Sequence, residues 1–203
     1  MPIYQTNKVS EAIKVAVWRI TETEDELLNK LMNLGFEPAS IYQTKNKNRL
    51  KQWIATRLLL NEFFKNVKII YDDLGKPSLE NGWKISISHS NDFVAIIMNE
   101  HENCGIDIEK VTPKIERIKH KFLNPTDLKD IISLDHLILY WGAKESLYKY
   151  YGKKEVLFIE NLFINNFNKN ENSFNGEIKM PDFQKEIPMT WEKIEDFILV
   201  YTL

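Results

Sequence analysis

Two short segments hold the residue types that could do chemistry. Gly105-Ile106-Asp107-Ile108-Glu109 alternates apolar and acidic residues. In a strand, Ile106 and Ile108 share one face and both carboxylates share the other. Two like charges on one face are unfavourable unless something cationic sits beside them. The second segment, Trp141-Gly142-Ala143-Lys144-Glu145-Ser146-Leu147-Tyr148-Lys149, reads as a helix. Glu145 and Lys149 are then surface neighbours, roughly 6 Å apart at Cβ. A helix packed on that strand brings three carboxylates and a lysine together. Oxygen-only ligation of this kind suits a hard cation such as Mg²⁺, which keeps several waters and shares substrate phosphates. Taken singly, each piece also has a plainer reading. Asp107 and Glu109 are then the solvated face of an edge strand, and Glu145 and Lys149 an ordinary, weak surface pair. Ser86-Ile87-Ser88-His89-Ser90 reads as a strand entering a serine-rich turn, and Gly75-Lys76-Pro77 as a turn.

The elements that must position these groups follow from periodicity. Residues 14–20 alternate like a strand. Thr21 and Glu24 offer a capping box for a helix over 24–34, which Gly35 ends. Residues 48–64 place Leu50, Trp53, Ile54, Leu58, Leu59 and Phe63 at helical spacing. Strands are expected at 67–71, 84–88, 93–98 and 104–109, with turn chemistry at 72–77. Helices are expected at 115–122, 126–132 and 135–151. Further strands fall near 157–167, 175–180, 186–191 and 197–202, and the asparagine-rich stretch 165–175 reads as an exposed hairpin loop. Each half therefore offers helices followed by mostly antiparallel strands. This is an α+β pattern of two similar α/β lobes in a pseudo-twofold arrangement, residues 1–103 and 104–203.

Composition narrows the class. With 203 residues, 43% of them hydrophobic, the chain has ample core for one domain or two small lobes. No run approaches the ~20 apolar residues of a membrane span. The start, Met-Pro-Ile-Tyr-Gln-Thr-Asn-Lys, contains no apolar signal region, and the single Cys104 rules out a disulfide framework. Both fit a reducing cytoplasm. A formal charge of −2 argues against a general nucleic-acid binder.

Order and spacing tie the motifs together. Gly-Lys-Pro, Ser-Ile-Ser-His-Ser, Gly-Ile-Asp-Ile-Glu and Trp-Gly-Ala-Lys-Glu-Ser-Leu-Tyr-Lys, spread from Gly75 to Lys149, resemble the 4′-phosphopantetheinyl transferases, in particular the larger surfactin-synthetase-associated type. The alternating strands after Lys154 resemble that family's second half. The resemblance implies transfer of phosphopantetheine from coenzyme A to a serine of an acyl or peptidyl carrier protein, releasing adenosine 3′,5′-bisphosphate. It implies Asp107, Glu109 and Glu145 as Mg²⁺ ligands, with Glu145 also the base that activates the serine. Lys149 would contact the pyrophosphate, and Ser88 and His89 would hold coenzyme A phosphates. Lys76, with Pro77, would lie near the adenine and 3′-phosphate. Arg49 is the candidate for a family arginine on the 3′-phosphate, although a gapless alignment puts Asn48 there. Leu74 stands where some relatives carry an aromatic residue or histidine.

The same chemistry is reasonable on its own terms. A serine hydroxyl needs a nearby base to act as a nucleophile. Charge developing on a leaving phosphate is stabilised by a divalent cation and a lysine. An acidic carrier would need basic and apolar surface, for which 118–123, Ile-Lys-His-Lys-Phe-Leu, is the local candidate. Its other reading is an amphipathic helix whose Phe122 and Leu123 are core. The expected enzyme acts as a monomer without nucleic acid or membrane. Two rivals share these residues: a non-catalytic carrier-protein or coenzyme A binding module, and a metal-dependent hydrolase of nucleotide diphosphates.

Overall fold

A computed structural model describes residues 3–37, 41, 44–168 and 170–203. Met1 and Pro2 of the N-terminal reading and residue 169 of the asparagine-rich loop lie outside the described residues. The fold is α+β, with two antiparallel sheets and helices on their outer faces. The first sheet holds β1 (Ile3–Lys8), β2 (Ile13–Arg19), β3 (Ile69–Tyr71), β4 (Pro77–Leu79), β5 (Lys84–Ser90) and β6 (Phe93–Asn99), in the order β1-β2-β6-β5-β4-β3. Helices α1 (Glu24–Asn33) and α2 (Lys47–Asn61) connect β2 to β3. The second sheet holds β7 (Ile106–Lys110), β8 (Leu162–Asn165), β9 (Ser173–Met180), β10 (Phe183–Ile194) and β11 (Phe197–Thr202), in the order β7-β11-β10-β9-β8. Between β7 and β8 come two 3-10 turns, α3 (Asp127–Asp130), α4 (Leu134–Tyr151) and α5 (Phe158–Asn161).

Burial explains the layering. Every residue of β6, Phe-Val-Ala-Ile-Ile-Met-Asn, is buried, which is the continuous apolar pattern of a strand covered on both faces. Val94, Ile96 and Met98 face outward and pack with Leu27, Leu31, Ile54 and Leu59 of α1 and α2. Phe93, Ala95 and Ile97 face inward and pack with Ile106 and Ile108 of β7 and Phe197, Leu199 and Tyr201 of β11. The far face of the second sheet buries Leu139, Tyr140, Ala143 and Leu147 of α4. The order is therefore helices, sheet, sheet, helix, with a core shared between the two sheets.

Several expectations shift. The capping box is Thr23 with Glu26, two residues later than Thr21 and Glu24. The stretch expected to be helical at 115–122 forms the 3-10 turns Pro113–Arg117 and Lys119–Lys121, and the helix expected at 126–132 shortens to α3. Phe122 and Leu123 are core. Strands β1 and β4 appear where the sequence pattern indicated none.

Candidate active site

The site lies where β5, β7 and the last turns of α4 meet. Alternation on β5 points Ser86, Ser88 and Ser90 at β7. Each serine oxygen accepts a backbone N–H there, from Ile106, Ile108 and Lys110, at 3.2, 3.2 and 3.3 Å. The serines thus satisfy amides on the outer edge of β7 that no strand reaches, and they fasten the two sheets together. At its N-terminal end, β7 approaches α4 so closely that a Cβ on Gly105 would lie 1.9 Å from the Ser146 carbonyl oxygen. Only glycine fits there. This contact is the physical link between the two sequence motifs.

Helix α4 starts at the N-cap Ser133 and ends at Gly152 in the left-handed conformation, φ 70°. Its Lys149 amino group donates to the Ile106 carbonyl at 2.9 Å and to Asp107 Oδ1 at 2.7 Å. The Ser88 hydroxyl also donates to Asp107 Oδ1, at 2.8 Å. Asp107 is 3% exposed, and its other oxygen, Oδ2, is buried with no hydrogen-bond partner. Ser90 donates to Glu109 Oε2 at 3.1 Å.

Electrostatics show the acids converging. Burial, then the nearby Asp107 charge, pushes Glu109 up to about 7, against the opposing pull of Ser90, Lys149 and a Trp141 hydrogen bond. Burial and Asp107 likewise push Glu145 up to about 7, with Glu109 adding to the effect and Lys149 opposing it. Two glutamates pushed up by burial and by the neighbouring Asp107 charge, beside one lysine, form a site short of positive charge. Among the described residues no three His, Cys, Asp or Glu side chains enclose a metal ion as they stand. The donor set nevertheless fits Mg²⁺, which takes one or two carboxylates plus waters and substrate oxygens rather than a closed protein cage. The orphaned Asp107 Oδ2 marks where protein donors leave a lone pair unused.

The other sequence-predicted residues fall into two flanking cavities that share Ile87. One, of about 310 Å³, is lined by Arg49, Trp53, Arg57, Tyr71, Ile87 and His89. Partial burial, together with the Lys149 and Arg49 charges, holds the His89 ring below its ordinary range, so it is neutral at pH 7. The other cavity, of about 150 Å³, is lined by Lys76, Pro77, Ile85, Tyr148, Lys149 and Gly152, among others. The Lys76 amino group does not point into open space. It donates to the Tyr150 carbonyl at 2.8 Å, at the C-terminal end of α4, where a cation is favoured. A Cβ on Gly152 would strike its stem. Ser88 is also committed internally, between Asp107 and the Ile108 amide.

Sequence reasoning did not assign Ser90, Trp141, Lys144 or Arg57. The period-two serines and the tryptophan of the helical motif were visible signals for the first two. Lys144 stands inside the helical motif, but its partners Phe122, Asp127 and Phe158 lie on other segments; Arg57 lies one helical turn after Trp53. Arg57 stacks on Trp53, 3.5 Å from the ring centroid, and donates to the Trp53 carbonyl at 3.1 Å.

Comparison with known proteins finds relatives for part of this chain. Residues 103–201 match the model of the 4′-phosphopantetheinyl transferase superfamily. The chain is 30% identical over 79 residues to the 4′-phosphopantetheinyl transferase AcpT of Salmonella typhi, covering 37% of this chain and 41% of that protein. It is 33% identical over 69 residues to AcpT of Escherichia coli strain K12, covering 32% and 35%. The matched stretch thus spans less than half of each relative. The half of the chain that holds Asp107, Glu109, Glu145 and Lys149 carries the sequence pattern of the 4′-phosphopantetheinyl transferase superfamily.

Proposed function

We propose that the protein is a Mg²⁺-dependent 4′-phosphopantetheinyl transferase. It moves phosphopantetheine from coenzyme A to a serine of an acyl carrier protein, or of a carrier domain in a synthase, and releases adenosine 3′,5′-bisphosphate. The observation that carries this reading is the convergence of Asp107, Glu109 and Glu145 beside Lys149, with Asp107 Oδ2 buried and unpartnered. These three acids would hold the ion. Bound there, Mg²⁺ supplies charge neutralisation and alignment for the diphosphate oxygens.

The chain's own groups do the rest. Glu145, held near neutrality by burial, accepts the proton of the incoming serine hydroxyl, the range in which a general base works best. The serine oxygen bonds to the phosphorus that bears pantetheine. The bond from that phosphorus to the bridging oxygen breaks, and its electron pair leaves on adenosine 3′,5′-bisphosphate. Lys149 turns its ammonium from Asp107 toward the leaving phosphate. Neutral His89 donates an N–H to a coenzyme A phosphate, and Arg49 in the same cavity meets the 3′-phosphate. Lys76, its charge held by α4, offers its stem with Pro77 as a surface for the adenine. Ser88 acts through Asp107, fixing the carboxylate's orientation.

The fold supports the larger, surfactin-synthetase-associated type, because a single chain supplies both sheets around the site. It would act as a monomer in the cytoplasm. Among the described residues no helix is long and apolar enough to cross a membrane. Incubation of an apo carrier protein with coenzyme A and Mg²⁺, followed by mass spectrometry, tests the function. The carrier should gain one phosphopantetheine at its serine. Coenzyme A consumed without carrier modification would point to a hydrolase, and binding without any product to a non-catalytic module.

A further inference from the structure

The turn before β4 holds Lys76 at a fixed point. Asp72 Oδ1 accepts the amides of Leu74 and Lys76 at 2.9 and 2.8 Å, and the Asp72 N–H donates to the Lys76 carbonyl at 3.1 Å. From there the half-buried Lys76 side chain crosses from the first sheet to α4 and donates to the Tyr150 carbonyl at 2.8 Å.

The need for that donor comes from the helix. The last carbonyls of a helix have no donor within it. The Gly152 N–H meets the Tyr148 carbonyl at 2.8 Å. Tyr150 is buried, so its carbonyl also needs a partner, and a cation suits the negative end of the helix dipole. Gly152 makes the approach possible, because a Cβ there would lie 2.2 Å from Lys76 Cδ and 2.6 Å from Nζ. The Tyr150 side chain is fixed as well. Its hydroxyl donates to Glu102 Oε2 at 3.1 Å, and Lys185 of β10 donates to that hydroxyl at 2.8 Å and to Glu102. The preceding residue, Lys149, holds the Ile106 carbonyl and Asp107. The last turn of α4 therefore joins the turn at 72–77, the linker before β7, and β7 itself.

We infer that Lys76 is a positioning residue and not a ligand of the 3′-phosphate: it ties the Gly-Lys-Pro turn to the end of α4, so that the cavity beside Pro77 and the helix carrying Glu145 and Lys149 move as one unit. The inference rests on the transferase reading, which supplies coenzyme A and its 3′-phosphate. Reaction rate is sensitive to such a tether, since a misplacement of about 1 Å can cost about 10²-fold.

The test is Lys76→Met, which keeps the stem and removes the donor. The kcat for carrier modification should fall at least about tenfold. The ratio of kcat/KM between coenzyme A and 3′-dephospho-coenzyme A should stay within about twofold of the original. A ratio that collapses toward one would make Lys76 a phosphate ligand and overturn the inference. An unchanged kcat would overturn it too, because the tether would then have no bearing on the reaction. If the variant does not fold, lysine acetylation of the original protein, mapped by mass spectrometry without nucleotide, decides. Lys76 should be modified at least about tenfold more slowly than the exposed Lys154. Modification as fast as that of Lys154 overturns the inference. Original protein that modifies no carrier defeats the transferase reading instead.

Discussion

Asp107→Asn separates a site built for a cation from one built for stability. The asparagine keeps a carbonyl oxygen for Ser88 and Lys149, which now reach Oδ1 at 2.8 and 2.7 Å, and removes only the charge. Two effects oppose each other. Glu109 and Glu145 both sit at about 7 instead of 4.5, and each pKa unit corresponds to about 1.4 kcal/mol. Burial is the larger cause in both and Asp107 the second, so relief from Asp107 is about 1 kcal/mol at each glutamate. Against this, Lys149, whose side chain is 26% exposed, loses a charged acceptor, at a cost of about 1 kcal/mol. The net result is a metal-free variant as stable as the original or more stable by about 1 kcal/mol, about 2–4 °C in Tm for a chain of this size.

The pH dependence follows from the sign of the shifts. An acid with a raised folded pKa binds protons more tightly when folded, so its penalty is absent below the unfolded pKa and complete above about 7. The advantage of Asp107→Asn should therefore be full at about pH 8 and fade toward about pH 5. Thermal melts in chelator at both pH values, repeated with Mg²⁺, provide the assay. The original should gain stability with Mg²⁺ and the variant little, while carrier modification falls at least about 10²-fold. A variant that melts more than about 8 °C lower would make Asp107 a structural residue and refute the reasoning. Transfer retained within tenfold would refute the metal assignment.

Other expectations are shorter. Glu145→Gln keeps an oxygen for Mg²⁺ but cannot take a proton, so transfer should fall by roughly 10²–10⁴ with a modest loss of coenzyme A binding; calorimetry and mass spectrometry on one preparation check this, and normal turnover would end the base role. His89→Ala should narrow the affinity gap between coenzyme A and its analogue without the 3′-phosphate, measured by calorimetry; an unchanged gap removes His89 from that phosphate. Lys144→Met alone leaves Asp127 charged at 3% exposure and should cost about 3–5 kcal/mol in denaturant unfolding, most of which Asp127→Asn in the same chain should restore; a loss below about 1 kcal/mol would show the pair to be dispensable.

Much of this architecture was legible in the linear order of residues. Alternation in Gly105–Glu109 correctly separated Ile106 and Ile108, which enter the shared core, from Asp107 and Glu109, which turn to the site. Four-residue spacing set Glu145 beside Lys149, in a helix expected at 135–151 and found at Leu134–Tyr151. These are local properties, decided by backbone geometry within a few residues. Thr21-x-x-Glu24 and Thr23-x-x-Glu26 overlap in the chain, and only the packing of Leu27 and Leu31 on the sheet selected the second. β1 escaped notice because it is an edge strand with alternate residues half-buried at most, so its apolar signal is weak.

Which residues could meet was a different matter, because it depends on contacts between distant segments. The sequence alone determined the residue types and faces of the chemistry: two acids on a strand, an acid and a lysine on a helix, three serines at period two. Only the tertiary structure decided their use. It placed Ser86, Ser88 and Ser90 against amides twenty residues away, left Asp107 Oδ2 without a partner, and drew the Lys76 charge onto the end of α4. It also buried Lys144 under a loop that helical periodicity had assigned to helix. The physical reason is that a strand or helix repeats a short-range geometry, whereas a hydrogen bond to a buried carbonyl or carboxylate is selected by whichever donor the whole fold brings within about 3 Å.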